Sequence, residues 1–433
     1  MANKLTAIAL MLLLLALGGF AAQAQLQAIQ PRTVGVYGNT ETLFQAPSPL
    51  LNAFREKKYV YPFYQYGNLS IISPQHNLSS NSYLRYRQVF NGEQESLDVY
   101  NTFFELSNDA NTYQIKVGRQ INTESVNYIL MDGALVRVKP IDGIELIAYG
   151  GYQFKDIQPD PEEPTDSFGT YGIKLKTDAI LGSVISVGYE YYDPDDFSGR
   201  QFLNVSFNRV VPFTDYADIY GLAEIDVGEG NLGLLTAGVG ITVLRSLYLN
   251  LEYDTYNIDQ DRDDFLLDPI FDTFSDGRMQ QAKVGVKFIP TTYLVINGSY
   301  AFSHYDVIED KSTNGSIARL GFNVDFWQQI GLRGFQGFYF IEGADDNDYA
   351  IGTNTSLFQN ITNEWQVEFA FAYSYYDKIT NQSGNAFSYI IGNEYLLFRN
   401  LVLRTGLEFN TNPDYSKDIR VDLGLSYYFS RSL

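Results

Sequence analysis

Seven cations share the polar phase of alternating segments in the first half of the chain: Arg85, Arg87, Lys116, Arg137, Lys139, Lys174 and Lys176. Carboxylates take the same phase further on, among them Glu252, Glu368 and Glu408. Fixed charge along one strand face orients polar solutes and draws anions when that face lines a narrow aqueous passage. The same charges could instead pair across neighbouring strands and keep a wall wet. Covalent and acid–base chemistry has little to work with here. The chain holds two histidines, His76 and His304, and no cysteine. Ser303 adjoins His304 on the opposite strand face, so the two are not placed as nucleophile and base. Asp259-x-Asp261-x-Asp263 begins like a calcium loop, but Asp264 stands where the turn glycine belongs and Ile270 where the bidentate glutamate belongs. No enzymatic activity, cofactor or metal site is expected.

The elements that carry these charges are strands. From Ile419 to Phe429 apolar and polar residues alternate without a break, which puts an apolar face on one side and a wet face on the other. The same alternation recurs around 282–288, 314–326, 364–377, 399–410 and 246–257. A charge on every second position cannot enter a protein core repeatedly without large desolvation costs. Lipid outside and water inside resolve the conflict, and a closed barrel satisfies the backbone without exposed edges. The expected fold is all-β: a transmembrane antiparallel up-and-down barrel of about 22 strands, with 18 or 20 as alternatives. The weakest strand candidate is Thr33–Gly38, and a short helical turn is expected in Pro49–Lys58.

Short connections, such as Pro140–Gly143, Asp178–Leu181 and Leu397–Asn400, alternate with long acidic ones, such as Lys155–Asp166, Asn257–Arg278 and Thr411–Lys417. Short turns on the periplasmic side and long loops outside are the usual asymmetry of such barrels. Asn257–Arg278 has an apolar centre, Phe265 to Phe274, and is expected to fold over the mouth or into the lumen. The net charge of -21 resides largely in these loops. That excludes nucleic acid as a partner and favours lipopolysaccharide bridged by divalent cations. Outer-membrane lipid and small polar solutes complete the expected partners. The oligomeric state is left open, a homo-oligomer included.

Lys4, the apolar run Ala7–Phe20 and Ala22-Gln23-Ala24 read as a secretory signal peptide cleaved after Ala24. The organisation expected is residues 1–24 as signal peptide, 25–58 as a short N-terminal segment carrying a first strand, and 59–433 as the barrel. So little chain before the barrel favours an open or loop-constricted channel over one closed by a separate plug.

Two resemblances follow from these residues. Asp422, Gly424, Tyr427 and Phe429 resemble the C-terminal signal that the outer-membrane barrel-assembly machinery reads, which implies a Gram-negative outer-membrane location. Val117-Gly118-Arg119-Gln120 with Asp132-Gly133-Ala134 resembles a pattern of substrate-selective porins and alginate-export-type barrels. That resemblance implies passage of anionic or carbohydrate solutes through a constriction lined by arginine and lysine. Strand parity places Arg119 with Ile115 and Val117, toward lipid. The function expected is a passive outer-membrane channel for small polar or anionic solutes, saccharides among them. The alternative is a structural or assembly barrel with a sealed lumen and acidic loops that bind surface partners.

Overall fold

In the computed structural model, the described residues are 34–432 without 47, 52–56, 91–94, 109–111, 125–128, 155–166, 181, 194–198, 212–215, 229, 258–277, 308–310, 343–348, 378–383 and 412–417. The loop Asn257–Arg278, the calcium-like acidic triplet and the signal peptide therefore fall largely or wholly outside them. The barrel opens with β1 (Gly35–Ala46); a small hairpin follows, β2 (Ser48–Leu51) and β3 (Lys57–Val60). The wall then runs through β4 (Pro62–Ser73), β5 (Leu78–Val89), β6 (Glu95–Ser107), β7 (Tyr113–Asn122), β8 (Ile129–Ile141), β9 (Ile144–Phe154) and β10 (Ser167–Ile180). It continues with β11 (Ser183–Asp193), β12 (Arg200–Val210), β13 (Ala217–Asp226), β14 (Asn231–Leu244), β15 (Leu247–Asn257), β16 (Arg278–Thr291) and β17 (Leu294–Val307). The last seven are β18 (Lys311–Phe326), β19 (Leu332–Glu342), β20 (Tyr349–Asn360), β21 (Trp365–Asp377), β22 (Gly384–Phe398), β23 (Leu401–Thr411) and β24 (Asp418–Ser432).

Each wall strand pairs antiparallel with its chain neighbours, and β1 pairs with both β4 and β24, closing a single sheet of 22 strands. Closure is what makes the sheet viable in hydrocarbon, since no row of N–H and C=O groups is left at an edge. The closing seam runs from Gly35 opposite Ser432 to Ala46 opposite Val421. Among the described residues no helix is long and apolar enough to cross a membrane. Two-residue turns such as the one between β8 and β9 need a left-handed residue, which Gly143 supplies at φ 81°. Between β18 and β19 a single helical turn, Trp327–Ile330, ends on Gly331 at φ 66°.

Two local expectations are corrected. The weak candidate Thr33–Gly38 is a full strand that reaches Ala46. Where a helical turn was expected in Pro49–Lys58, the described residues are strand: β2 and β3 pair antiparallel and overlap that stretch at its two ends. The outward face of β1 carries Gly38, Thr40 and Thr42, so it lacks the apolar row that marks the other strands. Gln65 on β4 makes this tolerable: its side chain accepts from the Thr42 hydroxyl at 2.6 Å and donates to that of Thr40 at 3.1 Å. Outward-facing Leu407, Ile419, Val421, Leu423 and Leu425 are all exposed, as lipid-facing positions must be.

The seam yields a test. A Cβ on Gly38 would collide with the backbone oxygen of Asn68 and the ring of Phe429, whereas one on Gly67 would meet nothing within 4 Å. Gly38→Val should abolish the folded, heat-modifiable band in unheated gel electrophoresis, and Gly67→Val should leave it intact. A fully folded Gly38→Val would overturn this account of the seam.

Candidate functional site

The inner face of the barrel is a belt of charges, and nearly every cation from the first half of the chain meets a carboxylate. Arg85 on β5 faces Asp98 on β6, with Nε and Nη2 each 2.7 Å from Oδ2. Both side chains are withdrawn from solvent, 12% and 2% exposed. The guanidinium also lies 5.2 Å from the ring centroid of Tyr100 and 5.8 Å from that of Tyr64. Around it runs a ladder of tyrosines, Tyr64, Tyr66, Tyr83 and Tyr100, with successive centroids 6.2, 6.3 and 5.1 Å apart. Lys116 stands 3.5 Å from Glu105 and 5.2 Å from the Phe103 ring centroid.

A second network sits a few strands along the wall, on β8 to β10. Arg137 binds Glu124, and its Nε is 3.0 Å from Glu145. Lys174 donates to the backbone oxygen of Glu124 at 2.9 Å and lies 3.5 Å from its carboxylate, while Lys176 is 4.0 Å from Glu145. Glu124 follows β7, so these contacts bring the start of the β7–β8 connection inside the barrel. The same part of the inner face holds a buried apolar cluster, Met131, Leu135, Ile147 and Tyr149. Arg87 sits two residues beyond Arg85 on the same face. Lys139, near the turn end, is exposed, and no carboxylate lies within ion-pair range of it among the described residues.

The acidic positions are placed similarly. Glu252 receives Lys283 at 2.8 Å and the Tyr220 hydroxyl. Glu408 accepts from Asn410 at 2.6 Å and lies 3.7 Å from Arg420. Glu368 stands beside Gly392, which faces it across β21 and β22. At the seam, Arg404 on β23 reaches Glu394 on β22 and Glu41 on β1, each at 2.9 Å. It passes over Gly424, whose missing side chain leaves the path across β24 free. Tyr427 and Phe429 stack outward at 6.4 Å, while Asp422 points inward, on the same strand phase as Gly424.

Strand parity correctly puts Arg119 outside. It forms a two-point bond with Asp132 across β7 and β8, 2.7 Å at each contact. Gly118 takes φ 125°, and a Cβ there would strike the backbone of Thr102. Both features of the Gly-Arg-Gln pattern thus serve close strand packing and an outward ion pair. Glu124, Glu41 and the tyrosine ladder went unnoticed in the sequence. Glu124 lies past the end of a strand, where periodicity says nothing; the tyrosines at 64 and 66 carried the only available signal, a spacing of two.

Lumen-facing residues near the loop end, Asn122, Thr170 and Ser303, are fully buried. Lys139, Lys287 and Arg319, nearer the turn end or mid-strand, are exposed.

Asp98→Asn would strand a nearly buried guanidinium. It should cost roughly 3 kcal/mol in denaturant unfolding, and replacing both Arg85 and Asp98 by apolar residues should recover most of that loss. Equal stability of all three proteins would show that the pair does not hold β5 to β6.

No protein-family model matches the chain, and no curated protein matches it. Solved structures do. The siderophore receptor PirA from Acinetobacter baumannii superposes with a TM-score of 0.58 at 9% identity, over 91% of this chain and 80% of that one. A variant of the ferric enterobactin receptor PfeA from Pseudomonas aeruginosa gives 0.60 at 10% identity, over the same shares. OccK1 (OpdK) of Pseudomonas aeruginosa aligns over 92% and 99% of the two chains, at 8% identity and a TM-score of 0.43, too loose to bear on function. At these identities the likeness is one of fold. The chain is a closed β-barrel of the outer-membrane type, with 22 strands and a charged, internally paired lumen.

Proposed function

We propose that this barrel is a passive outer-membrane channel for small polar solutes, with anionic solutes and saccharides in its range. The observation that supports it most is the inner wall itself. A sheet of 22 strands is too wide for its own side chains to fill, and this one faces inward with hydroxyls, amides and ion pairs rather than a packed apolar core. Pairing sets the character of the passage. Arg85, Lys116, Arg137, Lys174 and Lys176 hold carboxylates, so they position the wall and keep it wet. Field at the turn end comes from Lys139 and Lys287, which have no carboxylate partner among the described residues. The short turns face the periplasm, and the assembly machinery reads Asp422, Gly424, Tyr427 and Phe429.

A sealed barrel is the competing reading, and the burial of loop-end residues such as Thr170 and Ser303 favours it. Planar-bilayer recording decides between them: the channel gives discrete conductance steps, and a stably inserted, silent barrel rejects it. Given steps, neutralising Lys139 and Lys287 to Gln should move the reversal potential in a potassium chloride gradient toward cation preference. Glu124→Gln, which removes one negative charge shared by Arg137 and Lys174, should move it the opposite way. Reversal potentials unchanged in both variants would remove charge from the selectivity mechanism.

A further inference from the structure

Beside the second charge network lies a cavity of about 180 Å³ in the inner wall, bordered by Asn204, Ser186, Ser206, Lys174, Glu190 and Tyr149. Asn204 on β12 is 6% exposed, and neither its Oδ1 nor its Nδ2 has a hydrogen-bond partner among the described residues. A buried amide left in this state costs on the order of 1–3 kcal/mol per group. The position opposite Asn204 on β11 is Gly188, which leaves that side of the amide open, while the position opposite on β13 is the buried Glu224. Two hydroxyls lie one step along the same strands: Ser186 and Ser206 face each other at 2.6 Å, each with bonding capacity to spare.

We infer that this cavity is a binding site for a neutral polyhydroxylated solute the size of one hexose. The amide presents an acceptor and a donor side by side, which matches the donor and acceptor of two vicinal hydroxyls. At the rim Lys174 holds Glu124, and Glu190 accepts from the neutral Tyr192 hydroxyl at 2.8 Å. Glu190 and the fully buried Glu224, opposite Asn204 on β13, keep negative charge beside the cavity, which disfavours an anionic ligand and suits hydroxyls that donate to carboxylate and amide oxygens. The space would hold about six waters or a single sugar ring in their place. This site deepens the channel reading by giving it a solute class, and it rests on that reading only for the route by which the solute arrives.

The test is direct binding to the purified full-length protein in detergent, which does not depend on conductance. Saturation-transfer NMR with glucose should show saturable binding. Asn204→Leu should weaken it about tenfold or more, as expected for the loss of paired hydrogen bonds. Gly188→Val should also abolish it by filling the cavity. A Cβ at Gly188 makes only ordinary contacts of 3.5 Å or longer, so this second variant is expected to fold. Heat-modifiable mobility confirms folding of each. Glucose that fails to bind, binding unaltered in both variants, or displacement of glucose by glycine would overturn the site. Conductance without glucose binding would leave the channel standing and remove the site; binding without conductance would do the reverse.

Discussion

Everything in this molecule depends on one ladder of backbone hydrogen bonds, that between the first wall strand and the last. A sheet with two free edges cannot rest in hydrocarbon, because each unpaired N–H and C=O forfeits several kcal/mol there. Joining β1 to β24 removes both edges at once. After closure the period of two does the remaining sorting, since each strand has one face committed to lipid and the other to the lumen. Closure also accounts for side chains at the seam that look costly alone: Thr40 and Thr42 face outward, but Gln65 satisfies them within the wall.

The lumen obeys a second rule. Charges that face one another over short distances are spent on each other. Arg85 with Asp98, and Arg137 with Glu124 and Glu145, hold the wall in register and have little long-range field left. Exposed cations such as Lys139 and Lys287 keep more of theirs. The buried patch of Met131, Leu135, Ile147 and Tyr149 shows the converse, apolar side chains turned inward and packed on one another.

Much of this was legible in the sequence, and the failures have definite causes. Strands such as β24 and β21 announce themselves, because an apolar row facing lipid must alternate with a polar row facing water. The strand total, the barrel class and the outward placement of Arg119 all follow from that rule. β1 was read as a fragment because its outward face is polar, and its legitimacy depends on Gln65 from another strand. Arg85, Lys116, Arg137, Lys174 and Lys176 were placed on the inner face with cross-strand pairing as one of two readings. The register decides it for Asp98, Glu105 and Glu145, and Glu124 lies past the end of β7, where periodicity says nothing. Asn204 was invisible for a related reason. An asparagine on the polar phase looks like any wetted residue until the glycine across from it is seen.

The clasp of Arg404 on Glu41 has a kinetic meaning. Its two halves are 363 residues apart in the chain, and they meet only when the earliest-made and latest-made wall strands come side by side. Contacts of such long range are formed late, because the entropy of bringing the ends together is lost before any bond repays it. The clasp therefore gives no help to the growing sheet and acts as a latch on the finished one. Gly424 serves both stages: it belongs to the stretch expected to be recognised before insertion, and afterwards it leaves open the gap through which the latch is thrown.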